Sequence, residues 1–248
     1  MIALRVKGRW LPVDILRGMA VILMVCYHFS FDLNYFGVIH QSFNDSVFWL
    51  SFRALIVTDF LTLVGVSLEL ATDADNRHYW IRIGKLVAAA LAVTVGSYLM
   101  FPQSFIFFGI LHFIAMASLI ARFFLRFYRI NLLLGSAIVV FGIIYSNPLF
   151  DRPWMQWIGL MTYKPITEDY VPLFPWLGVV FIGLFLGKWL LRRKAVKGAL
   201  SILGKNAQAT PPAAGLLTVP AWMGQHSLAI YLLHQPVLLG ILYLLFRR

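Results

Sequence analysis

An all-α, polytopic transmembrane helical bundle of about seven spans, N-terminus cytoplasmic, is the fold class this sequence predicts. Three observations carry it. Of 248 residues, 60% are hydrophobic and 12% charged, where a water-soluble domain has about 25% charged. The apolar residues gather into segments long enough to cross a bilayer, and Lys and Arg gather in the loops on one side of them. This composition excludes a soluble globule, and disorder as well, which needs low hydrophobicity. Cys26 is the only cysteine, so no disulfide closes within the chain, and no Cys/His spacing marks a metal site.

A helical span needs about 20 mostly apolar residues. Segments 11–31, 47–71, 83–101, 105–125, 130–147, 171–191 and 226–246 meet that need. Arg5, Lys7 and Arg9 precede the first, as in a secretory signal, but the apolar run continues through Tyr27 and His28 without a small-residue cleavage site. It reads as a retained helix. The loop 32–46 is polar, and the longest outer connection is 148–170, where WMQWIGLMTY suits the interface or a re-entrant turn. In the inner segment 193–224, VKGALSILGK reads as a short amphipathic helix, followed by a Pro/Ala/Gly linker with Pro211 and Pro212. No repeat and no separate soluble domain is evident, so 1–248 reads as one domain.

The cations set the orientation. With the N-terminus in the cytoplasm, the inner side holds Arg5, Lys7, Arg9, Arg77, Arg82, Arg122, Arg126, Arg129, Lys188, Arg192, Arg193, Lys194, Lys197 and Lys205. The outer side holds Arg152 and Lys164, with the terminal Arg247 and Arg248. The net charge of +11 is thus an insertion signal rather than a nucleic-acid footprint. The same cations suit anionic lipid, or the phosphates of a cytoplasmic ligand.

Ionisable groups inside a span are costly and tend to face a partner or a wet cavity. The first span carries Asp14, Arg17, His28 and Asp32. With Arg17 at zero, His28 falls at about 20° and both acids at about 60°, so all four share one stripe. His28 lies roughly 16 Å beyond Arg17 along the axis, at about 1.5 Å per residue. Asp32, one turn on, is placed to hydrogen-bond one ring nitrogen of His28 and leave the other as a base. Arg53, His112, Asp169 and Tyr170 fall at a similar depth on other elements.

A base with an orienting carboxylate, a guanidinium and a second imidazole is the composition of a catalytic chamber. Plainer roles stand beside each assignment. Arg17 can pair with Asp14 merely to neutralise both, His28 can bond a backbone carbonyl, and Arg53 can snorkel. His112 can be an interhelical hydrogen-bonding residue, and His234, next to Pro236, can cap a kink. Glu69 and Asp59 read as structural, and His40 as a solvated loop residue. A transporter or channel using the same stripe as a proton or solute path is the competing function.

The stretch GRWLPVDILRGMAVILMVCYHFSFDLNYFG resembles the opening helix of membrane acetyltransferases related to heparan-α-glucosaminide N-acetyltransferase, with their [LV]D-x-x-RG signature. FLTLVGVSLEL (60–70), FFGILHFIAMASL (107–119), DYVPLFPWLGVVFIGLFLGK (169–188) and GQHSLAIYLLHQPVLLG (224–240) are similar to the bacterial branch of that family. A wider similarity runs to acyltransferase family 3, whose spacing between a basic residue and an essential histidine is matched by Arg17 and His28. Lysosomal members carry an asparagine where His28 stands and a histidine in the following loop, near the place of His40. Either residue could then hold the catalytic role.

The resemblance implies an acyl-CoA-dependent O- or N-acetyltransferase of the plasma (inner) membrane. It would move an acetyl group from cytoplasmic acetyl-CoA to a glycan or glycolipid amine or hydroxyl on the outer face, with no metal. His28 would be the general base, helped by Asp32. Arg53 and His112 would serve the oxyanion, with Asp169 and Tyr170 near the acceptor. Arg17, Arg122, Arg126 and Lys188 would hold the CoA phosphates. The partners expected are membrane lipid and the acceptor, with no nucleic acid, and a homo-oligomer is left open.

Overall fold

The computed structural model describes residues 5–6, 9–72, 75–193 and 211–246. Among them are eight α-helices: α1 (Leu11–Tyr35), α2 (Val47–Leu70), α3 (Asn76–Met100), α4 (Ile110–Arg122), α5 (Arg129–Ile144), α6 (Leu173–Arg192), α7 (Pro211–Gln225) and α8 (Ser227–Phe246). A two-residue antiparallel pairing of Arg5–Val6 with Arg9–Trp10 precedes α1. Five helices, α1, α2, α3, α6 and α8, are long and apolar enough to cross a membrane. This is a multi-pass membrane protein.

Local chemistry explains the helix ends. Pro12 occupies the first turn of α1, where its missing N–H costs nothing. That helix stops at Phe36, and Gly37 follows at φ 71°, a conformation that favours glycine. Asp75 caps α3 by accepting from the Arg77 N–H at 3.3 Å. In α6, Phe174 precedes Pro175 and takes an extended conformation (φ −98°, ψ 134°), as the pyrrolidine ring requires of the residue before it.

Two of the expected spans shorten. Segment 105–125 forms a helix only over Ile110–Arg122, and 130–147 only over Arg129–Ile144, which have 13 and 16 residues. At about 1.5 Å per residue these reach about 20 Å and about 24 Å, short of the ~30 Å hydrocarbon thickness. The physical reason is that apolar Phe residues also line structured turns here. The Ile106 N–H donates to Ser97 Oγ, and Thr94 Oγ1 donates to the Ile106 carbonyl, tying 105–109 across to α3 as a turn. After α4, Asn131 donates to the carbonyls of Phe124 and Phe127 and closes a second turn.

The linker expected around Pro211 and Pro212 is instead the first turn of α7. Proline is tolerated at that position, and the Leu, Ala, Trp and Met that follow favour a helix once a neighbour covers them. The amphipathic segment expected at 196–205 lies outside the described residues. The outer connection folds into two short 3-10 turns, Pro148–Asp151 and Pro153–Ile158, which close at Gly159 with φ 92°. Asp151 pins it by accepting from the Thr162 N–H and hydroxyl, both at 2.8 Å.

The chain forms two compact units, Met1–Phe60 with Arg193–Arg248, and Leu61–Arg192, so the boundary falls within α2. In the first unit α7 and α8 both pack on α1. Gly18 faces the Pro220 carbonyl, and Gly224 faces the Asp14 carbonyl, so closely that neither position has room for a Cβ. Small residues of this kind let helix backbones meet without a hydrophobic driving force. Val21, Met24, Tyr27, Phe43 and Ile56 form the core, flanked by Phe31, Trp49, Phe52, Met223 and Tyr231. Phe43 stacks on Trp49 of α2 at 4.2 Å and stands edge-on to Phe31 of α1 at 5.3 Å, which holds the loop between the two helices against both.

In the second unit α6 packs against α5 and α4, and α4 against α3. Gly65 meets the Val180 backbone and Gly183 meets Thr62, so the end of α2 lies directly on α6. Glu69, 4% exposed, is paired there with Lys188 at 3.3 Å.

Candidate active site

The stripe read on α1 turns inward within the first unit. Asp14 is 5% exposed and Asp32 1%. Arg17 Nη1 meets Asp14 Oδ1 at 3.0 Å, the i,i+3 pairing the spacing allows. Eleven residues on, His28 presents Nδ1 to the Met24 carbonyl at 3.1 Å and to Nε2 of His234 at 3.2 Å. Their ring centroids stand 4.9 Å apart.

His234 is held by its own helix. Its Nδ1 lies 2.7 Å from the Tyr231 carbonyl and 3.2 Å from that of Ile230. The next residue, Gln235, donates from Nε2 to Asp32 Oδ1 at 2.7 Å, so the bond from Asp32 to the His28 ring expected from their spacing is not formed: the His28 Nδ1 turns to Met24 and His234 instead. Two consecutive residues of α8 therefore engage two residues of α1 that are one turn apart. Sequence reasoning took His234 for a kink cap and did not single out Gln235. The backbone bonds of His234 match the capping role, but the bond to His28 needs the packing of α8 on α1, which periodicity within either helix does not encode.

Carbonyl oxygens only accept, so these contacts define the tautomers. Nδ1 of each ring carries the proton, leaving Nε2 of His234 as an acceptor facing His28. Nε2 of His28 is then a bare lone pair, and among the described residues no hydrogen bond occupies it. Arg53, on α2, lies near enough to the Tyr27 phenol to act on it electrostatically. The Tyr27 ring stands edge-on to His28 at 5.6 Å. A guanidinium, a phenol and an imidazole thus adjoin in one unit. His40 is exposed in the loop after α1.

The remaining sequence candidates lie in the second unit, and each has a local partner. His112 Nδ1 accepts from the Gly109 N–H at 3.3 Å, and its Nε2 meets Thr94 Oγ1 at 3.1 Å, fastening α4 to α3. Asp169 Oδ2 accepts from the Ile110 N–H at 2.8 Å, capping α4 where Gly109 supplies no side chain. Tyr170 donates its hydroxyl to the Gln156 carbonyl at 2.6 Å. Burial pushes the Tyr170 phenol up, so it stays a protonated donor.

Among the cations, Arg122 donates to Asn76 Oδ1 at 2.6 Å and lies over the Tyr79 ring at 4.1 Å. Lys188 donates to the Leu125 carbonyl at 2.5 Å besides pairing with Glu69. Arg126 is exposed and rests over Phe127 at 4.7 Å. His226 bonds the Trp222 carbonyl at 2.9 Å.

Apolar helices of spanning length, with a half-buried imidazole pair and a buried carboxylate bridged between two of them, define a multi-pass membrane protein with a polar seam inside one helical unit. The model of the heparan-alpha-glucosaminide N-acetyltransferase catalytic domain matches residues 9–236, and the chain belongs to that family of transmembrane acetyltransferases. Nothing among the curated proteins or the solved structures matches it.

Proposed function

We propose that this protein transfers an acetyl group from cytoplasmic acetyl-CoA to an amine or hydroxyl of a glycan or glycolipid on the outer face of the plasma membrane, with His28 as the general base. The observation that supports this reading is the bare Nε2 of His28, on an imidazole whose Nδ1 is engaged by the Met24 carbonyl and His234. Family membership supplies the reaction class, and acetyl-CoA is the donor that such enzymes use.

In the proposed step, His28 Nε2 takes the proton from the acceptor nitrogen or oxygen as that atom attacks the thioester carbonyl. A new C–N or C–O bond forms, and the carbonyl oxygen becomes an oxyanion. Arg53, with the Tyr27 hydroxyl beside it, is the donor we assign to that charge. Collapse expels the CoA thiolate, and the His28 imidazolium returns its proton to the sulfur. Asp32, held by Gln235, stands one turn away from His28 on the same stripe.

Arg17 sits on the same stripe, roughly 16 Å along the helix axis, a distance that a pantetheine arm covers. A donor whose phosphates rest near Arg17 could then extend its thioester to His28. Arg17 shares the α1 stripe with His28, so donor binding is assigned first to Arg17, beside its pairing with Asp14.

The test is to incubate inverted membrane vesicles holding the protein with acetyl-labelled CoA and to analyse lipids and glycans for label. Label in a luminal sugar amine or hydroxyl, absent from vesicles carrying His28→Ala, is the expected result. Equal labelling by the variant would overturn the reading.

A further inference from the structure

We infer that His234 is the positioning residue of the base: its Nε2 accepts the Nδ1 proton of His28 and so holds His28 in the tautomer whose Nε2 is free to react. This deepens the proposed function and rests on His28 being the base.

The argument begins with what each atom can do. His234 Nδ1 faces two carbonyl oxygens, Tyr231 at 2.7 Å and Ile230 at 3.2 Å, and neither can donate. The proton of His234 is therefore fixed on Nδ1, and its Nε2 has only a lone pair to offer. That lone pair lies 3.2 Å from His28 Nδ1, which also has the Met24 carbonyl at 3.1 Å. Two acceptors converge on one nitrogen of His28. A proton there satisfies both, whereas a lone pair there would meet two others in a low-dielectric interior.

The Met24 carbonyl alone could select this tautomer, but it lies one turn back on α1 and moves with that helix. His234 comes from α8, so it fixes the ring from outside and limits rotation about the side-chain bonds. When His28 takes the acceptor's proton at Nε2, the Nδ1 proton stays where it is. The positive charge is then shared through that hydrogen to the His234 nitrogen, as a triad carboxylate does for its histidine but with a neutral acceptor. On return of the Nε2 proton to the thiolate, the pair is back in its starting state. The residue after His234 acts in the same register, since Gln235 holds Asp32.

The geometry separates an acceptor role from a space-filling one. In His234→Gln a carboxamide oxygen can stand near the place of Nε2 and still accept from His28. In His234→Leu the volume is kept and the acceptor is lost. With full-length protein in detergent or nanodiscs, His234→Leu should lower kcat about a hundredfold, with both KM values within about threefold of wild type. His234→Gln should keep kcat within about tenfold of wild type.

A His234→Leu protein with kcat within threefold of wild type would overturn the inference, as would equal losses in the Leu and Gln variants. Should the Leu variant fail to fold, nitrogen-15 NMR of histidine-labelled wild-type protein decides the matter. A His28 resonance pair of the Nδ1–H form is expected, and an Nε2–H form would overturn it. His28→Ala is assayed alongside: if it stays active, the base assignment fails by itself, whatever the His234 variants show.

Discussion

Nδ1 of His28 and Nε2 of His234 stand 3.2 Å apart, although 206 positions separate the two residues. The contact joins α1 to α8, the first and last of the spanning helices described.

His28→Ala should lower acetyl transfer by about 10²–10⁴-fold, the usual contribution of a positioned base. Its ring is partly buried rather than a core anchor, so the variant should stay folded and retain donor binding. Activity assays paired with size-exclusion profiles and labelled-CoA binding check both halves. Full activity would move attention to His40 or His112.

Arg17→Ala should raise the KM for acetyl-CoA more than the KM for the acceptor. The loss also leaves Asp14, 5% exposed, without its ion-pair partner at 3.0 Å, so some stability falls with it. Steady-state kinetics with each substrate varied in turn gives the comparison. A larger shift in the acceptor KM would take Arg17 out of the donor site.

Gly18→Leu should destabilise the first unit by at least 1–3 kcal/mol, roughly the cost of overpacking, because the Pro220 carbonyl occupies the space a side chain needs. Gly84→Ala, where nothing lies within 4 Å, should leave the melting temperature almost unchanged. Thermal unfolding of the two detergent-solubilised variants tests the pair directly.

Breaking the pair between Glu69 and Lys188 in the second unit should cost about 3–5 kcal/mol when only one partner is removed. Lys188→Met leaves a carboxylate in an apolar site, whereas Glu69→Leu with Lys188→Met removes both charges. The double variant should melt higher than Lys188→Met alone.

Tyr170→Phe should lower stability by about 1–3 kcal/mol, since the Gln156 carbonyl loses its donor. The folded phenol titrates above its unfolded value, so its contribution is full below about pH 10 and is lost as pH rises further. Melting temperatures measured from neutral to alkaline pH should fall less steeply in the variant than in wild type.

Hydropathy alone located four of the spanning helices to within about four residues and started the fifth, α3, seven residues late, at 83 instead of Asn76, because a bilayer solvent demands long runs of Leu, Ile, Val and Phe and the polar first turns of α3 lack them. It overstated α4 and α5, where the same apolar residues line turns held by Ser97, Thr94 and Asn131. It also missed α7, whose opening prolines, Pro211 and Pro212, look like a linker in the sequence. Asp169 reads in the sequence only as a site residue, whereas His112 reads also as an interhelical hydrogen-bonding residue, the contact it makes here. One caps α4 and the other fastens it to α3, and side-chain chemistry does not distinguish a cap from an acid or base.

The inward stripe of Asp14, Arg17, His28 and Asp32 is legible in the sequence, since helical geometry converts spacing into direction and four ionisable groups in lipid need a common refuge. Their partners were not legible. That His234 and Gln235 engage His28 and Asp32 depends on how far α8 slides and turns against α1. Packing of Ile230 and Tyr231 on the core and of Phe246 near Phe36 accompanies that register, and no local rule along a single helix contains it.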